Sequence, residues 1–413
     1  MIWKLFIKNT KLLSNFSYLA LLEVFLLIAP LITYPYLVKV LGRELYGWVI
    51  TGQITASYCT VLIDFGFKRI SARHIAINST NPIKMGEVVS VILTLRWILW
   101  ILSFIIYFAI ICIIPSYHNH LKLFIFSFLT TLSSVVFLDF YFQGIENMKY
   151  ITIINIVVRG LFVAATFIVI RKPTDYVYVP LLWSIGYILG GVISTWIVFF
   201  KHKLPYTIPR INLLKSHMRE GSIIFVSDAM MTIKDKLNYN LMGAMIGMSD
   251  IVIYDIGSKI VNLLLKPITI LSTVLFPQMA KQKSVTKVKK AILLIFVISV
   301  IGVLVTNVFL PWIVKFFILE DIDINAIRLY SIVPIILGVS SFITINVFFA
   351  FGYDKLVLNS TYITTIGYLV ILGIMYYCNL LNSVMSFVIL TVSAFLIELM
   401  YRGLKCIEIL KRL

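Results

Sequence analysis

The sequence predicts an all-α membrane protein of about twelve transmembrane helices in two six-helix lobes around a central polar cavity. Three observations carry this reading. Of 413 residues, 60% are hydrophobic and 13% charged, and mean hydropathy is +0.99, so there is too little polar surface to cover a water-soluble globule of this size. Apolar runs near the roughly 20 residues that span hydrocarbon recur along the whole chain, with no soluble domain between them. The loops that separate these runs alternate between rich and poor in Lys and Arg.

In chain order the apolar runs fall near 14–40, 45–66, 86–113, 120–143, 150–170, 176–200, 221–246, 250–278, 290–314, 326–351, 356–378 and 382–401. Runs of this length exclude the short alternating strands of a barrel. Met1 to Lys11 carries Lys4, Lys8 and Lys11 and leads into an apolar run too long for a signal-peptide core, so the first helix is expected to stay as an anchor. With both termini placed in the cytoplasm, 23 basic residues fall inside and 7 outside. That bias is what the positive-inside rule predicts, and a missed helix would scramble it downstream. The net charge of +18 is then matched to an anionic leaflet, not to nucleic acid, because the bases lack the interleaved aromatics of a strand-binding groove.

The basic stretch Lys201 to Arg219, broken by Pro205 and Pro209, separates an N-terminal lobe (1–200) from a C-terminal lobe (221–413), with 201–220 as a cytoplasmic linker. Six helices is an even number, so both lobes enter from the same side and any internal repeat is parallel. The turn Leu41-Gly42-Arg43-Glu44-Leu45-Tyr46 after the first span has a weak counterpart in Ile246-Gly247-Met248-Ser249-Asp250-Ile251 after the seventh.

Six bases, Arg96, Arg159, Lys234, Lys236, Lys259 and Lys266, and seven acids, Glu23, Asp64, Asp139, Asp228, Asp235, Asp255 and Glu398, lie within spans. Each costs about 2.5–3.5 kcal/mol at a helix centre, so they must line a polar interior or pair with one another. Residues spaced i, i+4, i+7 and i+11 share a helix face. Such stripes run through Asp255, Lys259, Asn262 and Lys266; Gln53, Ser57, Thr60 and Asp64; Thr152, Asn155, Arg159 and Thr166; and Asp228, Thr232, Asp235 and Tyr239. Four stripes from both halves imply a water-accessible cavity.

Plainer readings stand beside this one. Glu398 has Arg402 one turn on and reads as an interfacial salt bridge. Arg96, flanked by Trp97 and Trp100, reads as an interface or packing residue. Asp64 and Asp139 have Arg69, Arg73 or Lys149 as local partners, and Asp255 can neutralise Lys259. Lys234 and Lys236 point to nearly opposite sides of their helix, so at most one faces the cavity. A cationic midplane suits an anionic substrate, because a phosphate needs desolvated positive partners where water is scarce. The four cysteines sit in or beside apolar segments, the histidines lie in or next to loops, and no phosphate loop, nucleophile motif or metal-ligand cluster stands out. A transporter without cofactor or metal is expected in place of an enzyme.

Specific residues also resemble a known family. The run Ala29-Pro30-Leu31-Ile32-Thr33-Tyr34-Pro35-Tyr36 through Leu41-Gly42-Arg43-Glu44-Leu45-Tyr46-Gly47 looks like the first-helix signature of O-antigen and polysaccharide-unit flippases of the Wzx type, within the multidrug/oligosaccharidyl-lipid/polysaccharide exporter superfamily. Asp64-Phe65-Gly66-Phe67 with Arg73 resembles the end of the family's second helix. Asp139-Phe140-Tyr141-Phe142-Gln143-Gly144-Ile145-Glu146-Asn147-Met148 resembles its W-x-x-Q-G-x-E-x-M stretch, with Phe140 where Trp is common. Tyr254-Asp255-Ile256-Gly257-Ser258-Lys259, followed by Pro267 and Leu275-Phe276-Pro277, resembles its eighth helix, with Lys259 at a recurring basic position.

The resemblance implies a V-shaped fold and a cargo of undecaprenyl-diphosphate-linked oligosaccharide moved from the cytoplasmic to the periplasmic leaflet of a bacterial inner membrane. Lys259, Arg159, Lys266 and one of Lys234 or Lys236 would hold the diphosphate by alternating access. A proton or sodium ion coupled through Glu23, Asp228, Asp235, Asp255 or Asp64 is a second element of that expectation. The implied partners are the lipid-linked glycan, membrane lipids and other membrane proteins of polysaccharide assembly. Pro30, Pro35, Pro267 and Pro334 read either as bending points or as static kinks. A multidrug or cation antiporter of the same fold and a lipid II flippase remain as alternatives.

Overall fold

The computed structural model describes residues 10–318 and 322–412, with the backbone alone at residues 10–13 and 16. Lys4, Lys8 and the side chain of Lys11, which open the expected anchor, lie outside the described residues. Every described element is a helix. In order these are α1 (Thr10–Asp64), α2 (Phe67–Ile77), α3 (Pro82–Ile113), the single turn α4 (Pro115–His118), α5 (Leu121–Leu129), α6 (Leu132–Val136), α7 (Asp139–Gly144), α8 (Met148–Val169), α9 (Tyr178–Trp196), α10 (Ile211–Met245), α11 (Met248–Gln282), α12 (Val285–Phe317), α13 (Asn325–Tyr330), α14 (Val333–Ile343), α15 (Asp354–Tyr377) and α16 (Val384–Lys411).

Among the described residues, ten segments are long and apolar enough to cross a bilayer, which makes this a multi-pass membrane protein. The count differs from twelve at two places, each for a physical reason. The first two predicted spans form one apolar stretch, Ser17–Ile77, whose 61 residues would extend about 90 Å against a hydrocarbon thickness of about 30 Å. It is interrupted at Gly42, where φ 76° and ψ 163° place the backbone in a region that only glycine occupies readily. The seventh predicted span is helical as α10, but Asp228, Lys234, Asp235 and Lys236 give it too much charge to pass as apolar.

The fourth span is broken into α5, α6 and α7. Thr130, Thr131 and Ser133 turn their hydroxyls onto carbonyls three residues back, an alternative to the helical ladder that weakens it locally. At the second break, Ser194 of α9 accepts from the Leu138 N–H at 2.9 Å and Thr195 donates to the Val136 carbonyl at 2.8 Å. Backbone groups freed inside a membrane need such partners. Gly191 allows the approach, since a Cβ there would lie 2.2 Å from a Val136 methyl.

The chain divides into two compact units, Met1–Ala229 and Met230–Leu413, and the dividing point falls within α10. The first has its core around Val89, Ile92, Phe140 and Phe142, and the second around Ile268, Ile295, Phe342 and Phe348. Extended residues before α10 are pinned to α3: the Thr207 N–H donates to Ser90 at 3.0 Å, and Pro205 lies where a side chain on Gly86 would be. Pro30, Pro35, Pro267 and Pro277 sit inside helices, whereas Pro334 occupies the first turn of α14, where its missing N–H costs nothing, so it starts a helix and does not kink one.

The two loosely similar turns share an unusual geometry. Gly247 (φ 143°, ψ 158°) precedes α11 in the same glycine-only region as Gly42. For Gly42 nothing within 4 Å would meet an added Cβ, so its requirement is conformational. Gly42→Ala and Gly247→Ala are each expected to destabilise the protein by about 1–3 kcal/mol. Gly373→Ala, in an exposed part of α15 with open space around it, should be neutral or stabilising by about 0.5–1 kcal/mol. Thermal unfolding in detergent micelles measures the contrast.

Candidate functional site

In the N-terminal unit, charge clusters where α1 ends. The chain turns through Phe65 (φ 44°) and Gly66 (φ 75°) into α2. Arg96 of α3 is 2% exposed and donates from Nη2 to Asp64 Oδ1 at 2.6 Å, with its guanidinium carbon 5.1 Å from the centre of the Phe140 ring. Expected as an interface or packing residue, Arg96 is instead a buried ion-pair partner, and Asp64 pairs with it and not with Arg69, Arg73 or Lys149. Asp139, for which the same three partners were expected, meets Lys68 at 2.6 Å. Both corrections have one cause: a local basic neighbour competes with any base that tertiary packing brings closer, and sequence spacing shows only the first.

Two further pairs tie the first half of α10 to α2. Arg69 meets Asp228 at 3.2 Å and His74 Nε2 meets Glu220 at 3.0 Å. Phe65 stacks on Phe225 with ring centres 4.4 Å apart. A Cβ on Gly66 would come 2.7 Å from Ile224, and one on Gly221 would come 2.5 Å from the Phe65 carbonyl oxygen. Only small residues at both places permit this contact.

The striped faces are partly self-contained. Ser57, Thr60, Asn155 and Thr166 each hydrogen-bond a carbonyl of their own helix, and Thr152 donates to the Tyr18 carbonyl. Arg159 behaves otherwise. Its guanidinium carbon lies 5.4 Å from the centre of the Tyr187 ring, its Nε is buried without a hydrogen-bond partner, and no carboxylate among the described residues pairs with it. Glu23 is exposed on α1.

In the C-terminal unit, Glu398 of α16 is the hub. It accepts from Lys234 at 3.1 Å, from Arg402 at 2.6 Å and from Ser340 at 3.1 Å. Lys234, its side chain 8% exposed, also lies 3.6 Å from Asp235 and 4.7 Å from the centre of the Phe395 ring. Arg402 donates further to Ser340 and Ser360. The expected Glu398–Arg402 bridge is therefore present but buried, not interfacial, and it includes Lys234.

Beside this hub runs a hydrogen-bonded network that sequence reading passed over. Asn238 donates to Tyr254 and Thr391 and accepts from Tyr368, while Tyr330 donates to Tyr254. An asparagine and several tyrosines within apolar spans were the available signal. Tyr239 donates to Asp255 at 3.2 Å, and Lys259 meets the same carboxylate at 2.5 Å. The Asp255–Lys259 pair is thus formed, with Asp255 buried and the Lys259 side chain 35% exposed. Lys236 lies over the Tyr239 ring at 5.5 Å, and Lys266 is half-buried one helical stripe beyond Lys259.

Removing Glu398 leaves two cations in a low-dielectric interior. Glu398→Gln is expected to cost about 3–5 kcal/mol. Adding Arg402→Met, which leaves Lys234 its Asp235 neighbour, should recover part of that loss. Thermal unfolding of the purified single and double variants checks both statements.

A family profile described as "Polysaccharide biosynthesis protein" matches residues 12–283. A protein of Escherichia coli (strain K12) named "Putative O-antigen transporter" is 23% identical over 290 residues, which is 69% of this chain and 70% of the relative. One of the same name from Shigella dysenteriae is 26% identical over 172 residues, 41% of this chain and 42% of the relative. A solved inward-facing multidrug resistance MATE family transporter of the MOP superfamily superimposes with a TM-score of 0.75 at 16% identity, over 95% of this chain and 99% of that one. A MOP superfamily transporter from Pyrococcus furiosus, described as having a binding pocket of reversed polarity, gives 0.59 at 15% identity, over 97% and 94%. The protein belongs to the polysaccharide biosynthesis protein family and has the fold of the MOP superfamily transporters.

Proposed function

We propose that this chain is a flippase of the bacterial inner membrane. It would carry an undecaprenyl-diphosphate-linked oligosaccharide, an O-antigen or related surface-polysaccharide unit, from the cytoplasmic to the periplasmic leaflet by alternating access. The twelve-span topology with both termini cytoplasmic belongs to this proposal. It is supported by the positive-inside bias, by the family, and by the name of the Escherichia coli relative.

The observation that carries the anionic cargo is Arg159. A guanidinium within a membrane span, faced by an aromatic ring and by no carboxylate among the described residues, has an electrostatic demand that a diphosphate meets well, because charge-assisted bonds strengthen where water is scarce. Lys259 is the second contact. Asp255, itself fixed by the Tyr239 hydroxyl, holds it in place while part of its side chain stays accessible. Lys236 and Lys266 add positive field, and Lys236 serves better than Lys234, whose ammonium is committed to Glu398 and Asp235. The chain's work is binding and gating, with no bond made or broken.

Energetics suit the direction. Each negative charge carried uncompensated toward a positive outside gains about 2.3 kcal/mol per 100 mV. Ion coupling, if the cycle uses it, falls to Asp255 or Asp235, with Glu23 exposed on α1. Asp64 and Asp228 are paired with Arg96 and Arg69, bases that take no part in cargo binding in this reading, and act as structural acids, whereas Asp255 is paired with the cargo contact Lys259 and Asp235 lies 3.6 Å from Lys234.

Transport of a fluorescent lipid-linked saccharide in proteoliposomes tests the assignment. Arg159→Ala and Lys259→Ala are each expected to lower the flipping rate about tenfold or more, the worth of one hydrogen bond to a charged group, with Arg159→Lys intermediate. Undiminished flipping by both alanine variants sinks the site. Resistance to cationic drugs conferred by the wild-type chain, without glycan transport, would instead favour an antiporter.

A further inference from the structure

A cavity of about 390 Å3 opens on the flank of the C-terminal unit. Its walls are Leu293 and Phe296 of α12, Ile336 and Val339 of α14 and Leu399 of α16, and Lys289 is the charged residue among those lining it. Leu293 and Phe296 are both exposed. In a membrane-spanning protein a wall of this kind faces hydrocarbon. The volume lies at the lower end of the range for small-molecule sites, enough for part of a hydrocarbon chain.

One end of the groove is chemically distinct. Lys289 and Phe296 are seven residues apart on one face of α12, about 10 Å along the helix, so the lysine stands at the end nearer the start of α12 and the apolar walls run away from it. Lys287 and Lys290 lie in the same two turns, with Lys281 and Lys283 just before them. Lys287 is held by Gln282, and Lys283 lies over the Phe351 ring. Neither Lys289 nor Lys290 is engaged in an ion pair among the described residues. The N-terminus of α12 adds partial positive charge, and Ser284 does not cap it with its side chain.

We infer that this groove binds one anionic phospholipid of the leaflet that meets residues 281–290, with its phosphate on Lys289 and Lys290 and an acyl chain along Leu293, Phe296, Ile336 and Val339. Charge complementarity selects the head group: Lys289 at the end of an otherwise apolar groove and the exposed Lys290 next to it in sequence leave a net positive charge that a zwitterionic lipid does not neutralise. The positive-inside reading puts residues 281–290 on the cytoplasmic side, where anionic lipid gives the surface its negative potential. The inference stands apart from the identity of the transported cargo.

The test is native mass spectrometry of the full chain, delipidated in detergent and titrated with phosphatidylglycerol or with phosphatidylethanolamine. Wild-type protein is expected to retain phosphatidylglycerol preferentially. Each lysine near an anionic surface contributes roughly fivefold in affinity, so Lys289→Ala with Lys290→Ala should weaken phosphatidylglycerol binding about 25-fold and erase the preference. Leu293→Trp, at an exposed wall position, should reduce retention while the melting temperature stays at the wild-type value. Equal retention of the two lipids by wild type, or an unchanged affinity in the double lysine variant, overturns the inference. So does displacement by undecaprenyl phosphate but not by phosphatidylglycerol, which would give the groove to a polyprenyl carrier. A concentration-dependent dimer lost in Leu293→Trp would give it to a second copy.

Discussion

A charge inside hydrocarbon must find a partner, and this requirement organises much of the protein. Thirteen ionisable residues lie within the predicted spans, each costing a few kcal/mol if left to lipid. The structure meets the cost by pairing across helices: Asp64 with Arg96, Lys68 with Asp139, Arg69 with Asp228, and Glu398 with Lys234, the last joined by Arg402 one turn on in the helix of Glu398. Apolar packing alone discriminates poorly among helix neighbours in lipid, because the tails are as apolar as leucine. A pair that forms at one register only supplies the missing specificity, so these carboxylates act as registers for α1, α2, α3, α7, α10 and α16.

The same requirement applies to the backbone. At the α6–α7 break the freed Leu138 N–H and Val136 C=O are met from a neighbouring helix by Ser194 and Thr195. Gly42 and Gly247 permit breaks of another kind, where the chain needs a conformation closed to side-chain-bearing residues. That both units use glycine in one rare backbone region after corresponding spans is a structural echo that two weakly similar sequence turns only hinted at.

Once the structural pairs are set aside, the remaining charges differ in kind. Arg159 faces a ring, and Lys259 is steadied by a buried carboxylate while keeping part of its surface. A cation held in position with part of its surface accessible is what an anion-binding site requires, and it links the cost of membrane charge to the proposed cargo. Lys234 shows the converse: the residue type and depth are suitable, but Glu398 and Asp235 already occupy it. Residue type at a given depth thus narrows the candidates, and neighbours decide among them.

Membrane class, helical architecture and the positions of most spans were legible from the sequence, because insertion into hydrocarbon is governed by local length and apolarity, which a one-dimensional reading captures. The family signature was legible too, from Pro30, Gly42, the Gln143-Gly144 stretch and Lys259 in order. Partner choice was not. Asp64 and Arg96 are 32 residues apart and Lys234 and Glu398 are 164 apart, so no periodicity connects them, and local candidates such as Arg69 or Lys149 looked equally good. The Asn238–Tyr254–Tyr368–Thr391 network, the buried setting of Glu398 and the groove beside Lys289 likewise exist only after helices pack. Sequence by itself determined which charges enter the membrane; tertiary structure decided which of them are neutralised there, because neutralisation depends on distances of a few ångströms between segments far apart along the chain.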